Sequence, residues 1–203
     1  MNVLYRILEN KFIFNLIQQI LAPGMFRNIW KRLNAALEAE IGRTIRVLEL
    51  GCGTGYFSLD RPAVEYIGTD INGDYFPNPA SSRMSYRVMD ATRIDFPDAS
   101  FDLVYSIGLY HHLTDEQTRA SLWESLRVLK NGGRIIFIDG IYPTCRLNVL
   151  PWLIRRMDRG RHMRTLEQTT EIMRTENLNV TSADTFYFAV TGLQAVLIQI
   201  RKL

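Results

Sequence analysis

Three glycines at alternate positions, Gly51, Gly53 and Gly55, follow the apolar run Val47-Leu48-Glu49-Leu50, with Cys52 and Thr54 between them. Glycine lacks a Cβ, so such a turn can fold tightly and aim backbone N–H groups at a ligand. A helix starting just beyond would add unpaired N–H groups and the positive end of its dipole, which suits a carboxylate or phosphate. A second acid, Asp70, closes the run Tyr66-Ile67-Gly68-Thr69. It stands about 20 residues after the first glycine, the offset at which a carboxylate holds ribose hydroxyls in dinucleotide folds. Together these features call for a cofactor that carries adenosine.

Such residues must be set along one edge of a sheet, and the chain supplies the strands. Short apolar runs at Ile45–Leu50, Val64–Asp70, Ser85–Met89, Phe101–Ser106 and Arg134–Asp139 read as strands buried on both faces. Thr114-Asp115-Glu116-Gln117 is a capping box opening a helix with Leu122, Trp123, Leu126 and Leu129 on its inner face. Asn131-Gly132-Gly133 stops that helix. Alternating strands and helices mean parallel pairing with right-handed crossovers. Asp184–Val190 and Leu193–Ile200 have only Thr191-Gly192 between them, too little for a parallel crossover, so they pair antiparallel. The crossovers on either side of Val64–Asp70 are brief, and the second holds Pro77 and Pro79, so their helices must be short or irregular.

Ahead of Ile45 the pattern is helical. Leu4, Ile7, Leu8, then Ile13, Leu16, Ile17, Ile20 and Leu21 recur at helical spacing, Pro23-Gly24 breaks the run, and Phe26, Ile29, Trp30, Leu33 and Leu37 resume it. The favoured reading is two helices packed on the body; a lid, or a shallow contact with a lipid surface, is the alternative. The division is an N-terminal helical cap over residues 1–44 and a main domain over 45–203, with 141–182 as the variable, substrate-facing part. Asn15, Gln18 and Gln19 interrupt the first apolar stretch, so no membrane span is expected. A net charge of +3 is mild, and no basic stripe interleaved with aromatics suggests nucleic acid. Two cysteines, Cys52 and Cys145, make neither a disulfide framework nor a metal pattern, which fits a reducing cytoplasm.

The ordered set of motifs resembles the class I S-adenosylmethionine-dependent methyltransferases. Glu49-Leu50-Gly51-Cys52-Gly53-Thr54-Gly55 is similar to that family's first motif, and Gly68-Thr69-Asp70-Ile71-Asn72 to its second. Met89-Asp90-Ala91-Thr92 resembles the third and Asp95–Val104 the fourth, with His111-His112-Leu113 and Arg127–Arg134 completing the series. The resemblance covers about half the chain. It implies a Rossmann-like three-layer α/β/α sandwich whose seven-stranded, mostly parallel sheet runs 3-2-1-4-5-7-6. It also implies S-adenosyl-L-methionine as cofactor and S-adenosyl-L-homocysteine as product. Gly51, Cys52, Gly53 and Gly55 would line the methionine end, with Glu49 ordering groups beneath. Asp70 would accept the ribose hydroxyls, Ile71 would cover an adenine face, Asp90 and Ala91 would meet the adenine edge, and the Ser106 carbonyl would lie near the sulfonium.

Methyl transfer is an in-line displacement, so the protein mainly positions the nucleophile. His111 follows the fourth strand at the ligand-binding edge and is the candidate general base, with a structural hydrogen-bonding role as the rival reading. Asn148–Met157 reads as a short helix with Trp152, Leu153 and Met157 inward. Beyond it Arg155, Arg156, Arg159, Arg161 and Arg164 crowd against a single acid, Asp158. A solvated face is the simpler explanation; a cluster for an anionic small-molecule acceptor is the sharper one. A nicotinamide-dependent oxidoreductase fits less well, because Tyr56 stands where pyrophosphate binding would suit another glycine. A methyltransferase-like subunit without catalysis is the remaining alternative.

Overall fold

The computed structural model describes residues 24–38, 43–143, 149–156, 160–188 and 192–203. The first helical run up to Leu21, Cys145, and Met157, Asp158 and Arg159 lie outside them. Seven strands form one sheet: β1 (Ile45–Leu50), β2 (Val64–Asp70), β3 (Met84–Val88), β4 (Phe101–Ile107), β5 (Leu129–Ile141), β6 (Val180–Tyr187) and β7 (Gln194–Arg201). Their order is β3-β2-β1-β4-β5-β7-β6. The first five pair in parallel, β7 runs antiparallel to β5, and β6 antiparallel to β7. The final turn closes between Phe188 and Leu193, where each of two N–H···O bonds (Phe188 N–H to Leu193 O, 2.8 Å; Gly192 N–H to Phe188 O, 2.9 Å) ties its ends. β6 therefore begins and ends earlier than the apolar run suggested, and its outer edge is mostly exposed.

Strand residues alternate between two cores, because successive side chains point to opposite faces. On one face α1 (Met25–Leu37) sets Ile29, Leu33 and Leu37 against Val47, Tyr66, Leu103, Tyr105 and Ile136. Helix α1 is thus part of the sandwich layer itself. On the other face α2 (Asp115–Val128) and α4 (Leu166–Thr175) bring Leu122, Val128, Ile172 and Met173 onto Leu48, Ile67, Val104, Ile135 and Phe137. Both of these helices open on complete capping boxes, Thr114 with Gln117 and Thr165 with Gln168.

Inward assignments on two helices are corrected. Trp123 points outward and donates its indole N–H to Glu176 at 2.7 Å, while the small side chains of Thr118, Ser121 and Ser125 share the buried face of α2 with Leu122 and Val128. In α3 (Val149–Arg156) Trp152 and Leu153 are exposed, and Pro151 and Ile154 face the body instead. The short crossovers are confirmed. No helix separates β1 from β2 or β3 from β4, and only a 3-10 turn, Gly73–Tyr75, separates β2 from β3. The glycine turn therefore has no helix dipole behind it. Among the described residues no helix is long and apolar enough to cross a membrane.

Candidate active site

The turn after β1 takes left-handed backbone at Gly51, Gly53 and Gly55, with φ of 69°, 50° and 70°. Two of these glycines are needed for different reasons. A Cβ on Gly53 would meet no heavy atom within 4 Å, so only its dihedral demands glycine. A Cβ on Gly55 would sit 2.6 Å from Pro77 and 3.0 Å from the Tyr86 hydroxyl, so close packing demands it as well. The turn holds itself in shape: Cys52 N–H donates to Thr69 O and Gly55 N–H to Cys52 O, both at 2.9 Å. Burial pushes the Cys52 thiol well above its ordinary range, so it fills space in the turn and is no nucleophile.

Asp70 ends β2 beside this turn. Its Oδ2 accepts the Gly53 N–H at 2.9 Å and its Oδ1 the Asn72 N–H at 3.0 Å. Each carboxylate oxygen thus carries one backbone N–H and keeps acceptor capacity for a further donor, the arrangement a vicinal diol requires. Ile71, three-quarters exposed, offers an apolar face next to it. Asp90 is exposed and takes both the Thr92 N–H (2.8 Å) and the Thr92 hydroxyl (2.7 Å) on Oδ1, a turn-forming contact that leaves its other oxygen for an amino group. Ala91 packs beneath it on the second core. Ser106 lies within β4, buried, with Ile107 and Gly108 beyond it toward the edge. Gly51 and Gly108 are joined through Leu109, whose side chain would be 3.0 Å from a Cβ on Gly51.

Below the turn Glu49 is buried, 2% exposed, among phenols. Tyr66 donates a short hydrogen bond to its Oε2, Ser58 donates to the Tyr66 oxygen at 2.9 Å, and Tyr86 to Ser58 at 3.0 Å. The Tyr105 oxygen lies 2.8 Å from both Glu49 Oε2 and the Phe57 carbonyl, and its one proton can serve only one of them at a time. Burial pushes the Glu49 carboxyl up to about 7, despite the opposing hydrogen bonds from Tyr66 and Tyr105, and the Asp70 charge adds to the rise.

His111 sits in the 3-10 turn Tyr110–His112 after β4. Its backbone N–H reaches Asp139 Oδ2 at 3.1 Å and its ring Nδ1 lies 2.5 Å from Asp139 Oδ1. Gly140 N–H adds a 2.7 Å bond to Oδ1. Burial alone would raise the Asp139 carboxyl, yet the His111 imidazole and these donors hold it below the ordinary carboxylate range. Arg164 anchors the same turn from outside, donating to the carbonyls of Tyr110 and Leu113 at 2.8 Å each and to Asp115 at 2.9 Å. The arginine cluster accordingly splits. Arg164 is 8% exposed and Arg155 points inward to the Gln194 carbonyl, whereas Arg156, which stacks over Trp152 at 5.4 Å, and Arg161 are exposed.

The sequence assigns no role to Asp139 or to the two tyrosines on Glu49, and it sets Arg164 in an acceptor cluster, whereas the structure ties it to the His111 turn. Asp139 did carry a signal: like Asp70 it is an acid closing an apolar run, and it stands two residues before the end of β5. The place of Arg164 on that turn carried none, since its three partners lie about 50 residues away in the chain.

The sheet order, the glycine turn and the acid that ends β2 define an α/β sandwich closed by an antiparallel strand. A family model described as a methyltransferase domain matches residues 47–133. The demethylmenaquinone methyltransferase of Deinococcus radiodurans is 32% identical over 137 residues, 62% of this chain and 55% of that protein. The probable tRNA methyltransferase 9B of Homo sapiens is 29% identical over 108 residues, 53% of this chain and 24% of that one. The crystal structure of the YcgJ protein from Bacillus subtilis superposes with a TM-score of 0.63 at 21% identity, covering 85% of this chain and 98% of its own. Residues 47–133 thus match a methyltransferase domain, and these likenesses together support a class I S-adenosylmethionine-dependent methyltransferase. It spans little more than half the length of the first relative and about a quarter of the second.

Proposed function

We propose that this protein transfers a methyl group from S-adenosylmethionine to a small-molecule acceptor. The observation that carries the reading is Asp70, whose two oxygens each hold one backbone N–H at the rim of the glycine turn beside the exposed Ile71. That arrangement fits a ribose diol and an adenine face, and the uncrowded approach to Gly53 fits a ligand tail lying along the turn. Gly51, Cys52, Gly53 and Gly55 would line the amino-acid end, with Glu49 beneath; Asp90 and Ala91 would meet the adenine edge, and Ser106 the sulfonium side. When bound, the cofactor supplies an electrophilic methyl group, and its sulfur keeps the electron pair of the broken S–C bond. His111 serves as the general base at the acceptor side. An anionic group on the acceptor would meet Arg156 and Arg161, the described arginines of the cluster that stay exposed.

Calorimetry with S-adenosylhomocysteine tests the cofactor site, and transfer of a labelled methyl group to a panel of small acids, phenols, amines and bulk tRNA tests the acceptor class. Micromolar binding with turnover of a small molecule is expected. Binding without turnover of any small acceptor would favour a non-catalytic subunit, turnover of tRNA alone would move the acceptor to nucleic acid, and failure to bind would overturn the reading.

A further inference from the structure

Helix α3 turns an apolar stripe to the outside. Its inner side is fixed by Pro151, which lies 3.3 Å from where a Cβ on Gly192 would be, by Ile154 on the first core, and by Arg155, which donates to the Gln194 carbonyl at 2.8 Å. The opposite side carries Val149, Trp152, Leu153 and Arg156, whose helical spacing puts them on one face. The three apolar side chains are 40% to 68% exposed. Single exposed apolar residues are ordinary on a protein surface, but three side by side on one short helix make a patch. Arg156 lies over the Trp152 ring at 5.4 Å and borders the patch at its C-terminal end.

Charge distinguishes the surfaces that could cover this patch. From Ile141 to Arg164 the chain holds six arginines against one acid, Asp158, so this stretch is more positive than the whole protein, whose net charge is +3. Among its described arginines, Arg155 and Arg164 are engaged with carbonyls of the fold, while Arg156 and Arg161 are exposed. A nucleic acid would meet the guanidiniums and leave Val149 and Leu153 without an apolar contact. An anionic bilayer meets both, with headgroup phosphates at its surface and acyl chains just beneath. Tryptophan suits that boundary, since its ring is apolar and its N–H polar. A helix this short, about 12 Å, cannot cross a bilayer and must lie along its surface. Arg155 also rests on Gly140, where an added Cβ would be 2.5 Å from its Nη1, and Gly140 follows Asp139, the partner of His111. The stripe is therefore carried at the sheet edge where the His111 turn stands.

We propose that the outer face of α3 docks on an anionic lipid surface: Val149, Trp152 and Leu153 enter the acyl boundary, and Arg156 and Arg161 meet lipid phosphates in place of a soluble anion. The docking does not depend on the methyl-transfer reading, since it involves neither cofactor nor acceptor. Three apolar side chains make a shallow contact, so headgroup charge must supply the rest.

Co-sedimentation of the full chain with vesicles tests the proposal, using phosphatidylcholine alone and phosphatidylcholine with about one-third phosphatidylglycerol. The wild type is expected to bind only the second, and to be released by about 0.5 M sodium chloride, which screens charge within a few ångströms. An arginine near an anionic surface is worth about fivefold in binding, so Arg156→Gln combined with Arg161→Gln should weaken it by about 25-fold. Leu153→Glu should weaken it by about tenfold or more. Tryptophan emission should move to the blue on anionic vesicles in the wild type and not in Trp152→Phe, which keeps Trp30 and Trp123. All the substituted side chains are exposed, and the lipid and salt arms need no variant at all. No binding of the wild type to anionic vesicles, or equal binding to neutral ones, overturns the proposal. So does binding that Leu153→Glu and the double arginine change leave intact, or a blue shift that persists in Trp152→Phe, because another part of the chain would then hold the lipid. A lipid-free dimer that Leu153→Glu splits would give this face to a second copy and overturn it as well.

Discussion

The Gly53 N–H donates to Asp70 Oδ2 at 2.9 Å, tying the glycine turn after β1 to the carboxylate that ends β2. One bond thus sets the position of two parts of the candidate site, the turn and the acid. Asp70→Asn keeps the shape and removes the charge, and its amide also brings a donor to one of the two positions that now accept. Hydrogen bonds to a charged group are worth about 1.5–3 kcal/mol, so S-adenosylhomocysteine affinity should fall by about 10- to 100-fold. Titration calorimetry of the two proteins checks it; equal affinities would remove Asp70 from the site.

The glycines of the turn should respond unequally. Gly53→Ala incurs only the cost of a left-handed alanine, about 1–2 kcal/mol, since a Cβ there meets nothing within 4 Å. Gly55→Ala carries the same cost and drives the Cβ to 2.6 Å from Pro77 and 3.0 Å from the Tyr86 hydroxyl, which must move. Urea midpoints should place Gly55→Ala clearly below Gly53→Ala. Equal losses would show that the Pro77 segment yields freely.

Glu49 gives the fold a pH dependence of definite sign. Its carboxyl is raised from 4.5 to about 7 in the folded chain, so the folded state holds the proton more tightly than the unfolded one. The stabilisation is complete below about pH 4.5 and is lost as pH rises through 7. At 1.36 kcal/mol per unit the whole effect is about 3 kcal/mol. The carboxylates held low, Asp102 and Asp139 among them, act in the opposite sense and only at more acid pH. Wild-type stability relative to Glu49→Gln should therefore decline between pH 5 and pH 8. A difference independent of pH over that range would place the Glu49 carboxyl in its ordinary range.

What could be read from the chain divides along physical lines. Strands buried on both faces leave a local imprint, and the runs at Ile45–Leu50, Val64–Asp70 and Phe101–Ser106 differ from the observed strands by at most one residue. Capping boxes are equally local, and the one opening α2 stands where Thr114 announced it. Helix faces were harder. An amphipathic stripe says which side chains are apolar, not which are small enough for close approach, so Ser121 and Ser125 displaced Trp123 from the core of α2. The candidate site shows the same division. The glycine turn and Asp70 are local patterns, while the partners of His111 and Glu49 come from strands and loops 17 to 56 residues away and exist only once the sheet is assembled.

Arg164 and Arg174 make a sharp contrast in what an arginine does for this fold. Arg174 pairs with Glu171 one turn away on α4, with its side chain 74% exposed, so Arg174→Ala should leave the urea midpoint indistinguishable from wild type. Arg164 is 8% exposed and spends its guanidinium on the Tyr110 and Leu113 carbonyls and on Asp115. Asp115 is well exposed and regains water when the partner leaves, so its share is small. The carbonyls of the His111 turn are the larger loss: both lose a charged donor, and Leu113 O is left without one at about 1–3 kcal/mol, while Tyr110 O keeps the Leu113 N–H. Arg164→Met keeps much of the side-chain volume and removes every donor; it should destabilise the fold by about 2–4 kcal/mol. It should also loosen the Tyr110–His112 turn, seen as faster amide exchange at His112 and Leu113, whose N–H groups bond within that turn to Leu109 and Tyr110. If the loss of stability appears while exchange at those two amides stays at the wild-type rate, Arg164 supports the body of the domain and not the histidine turn.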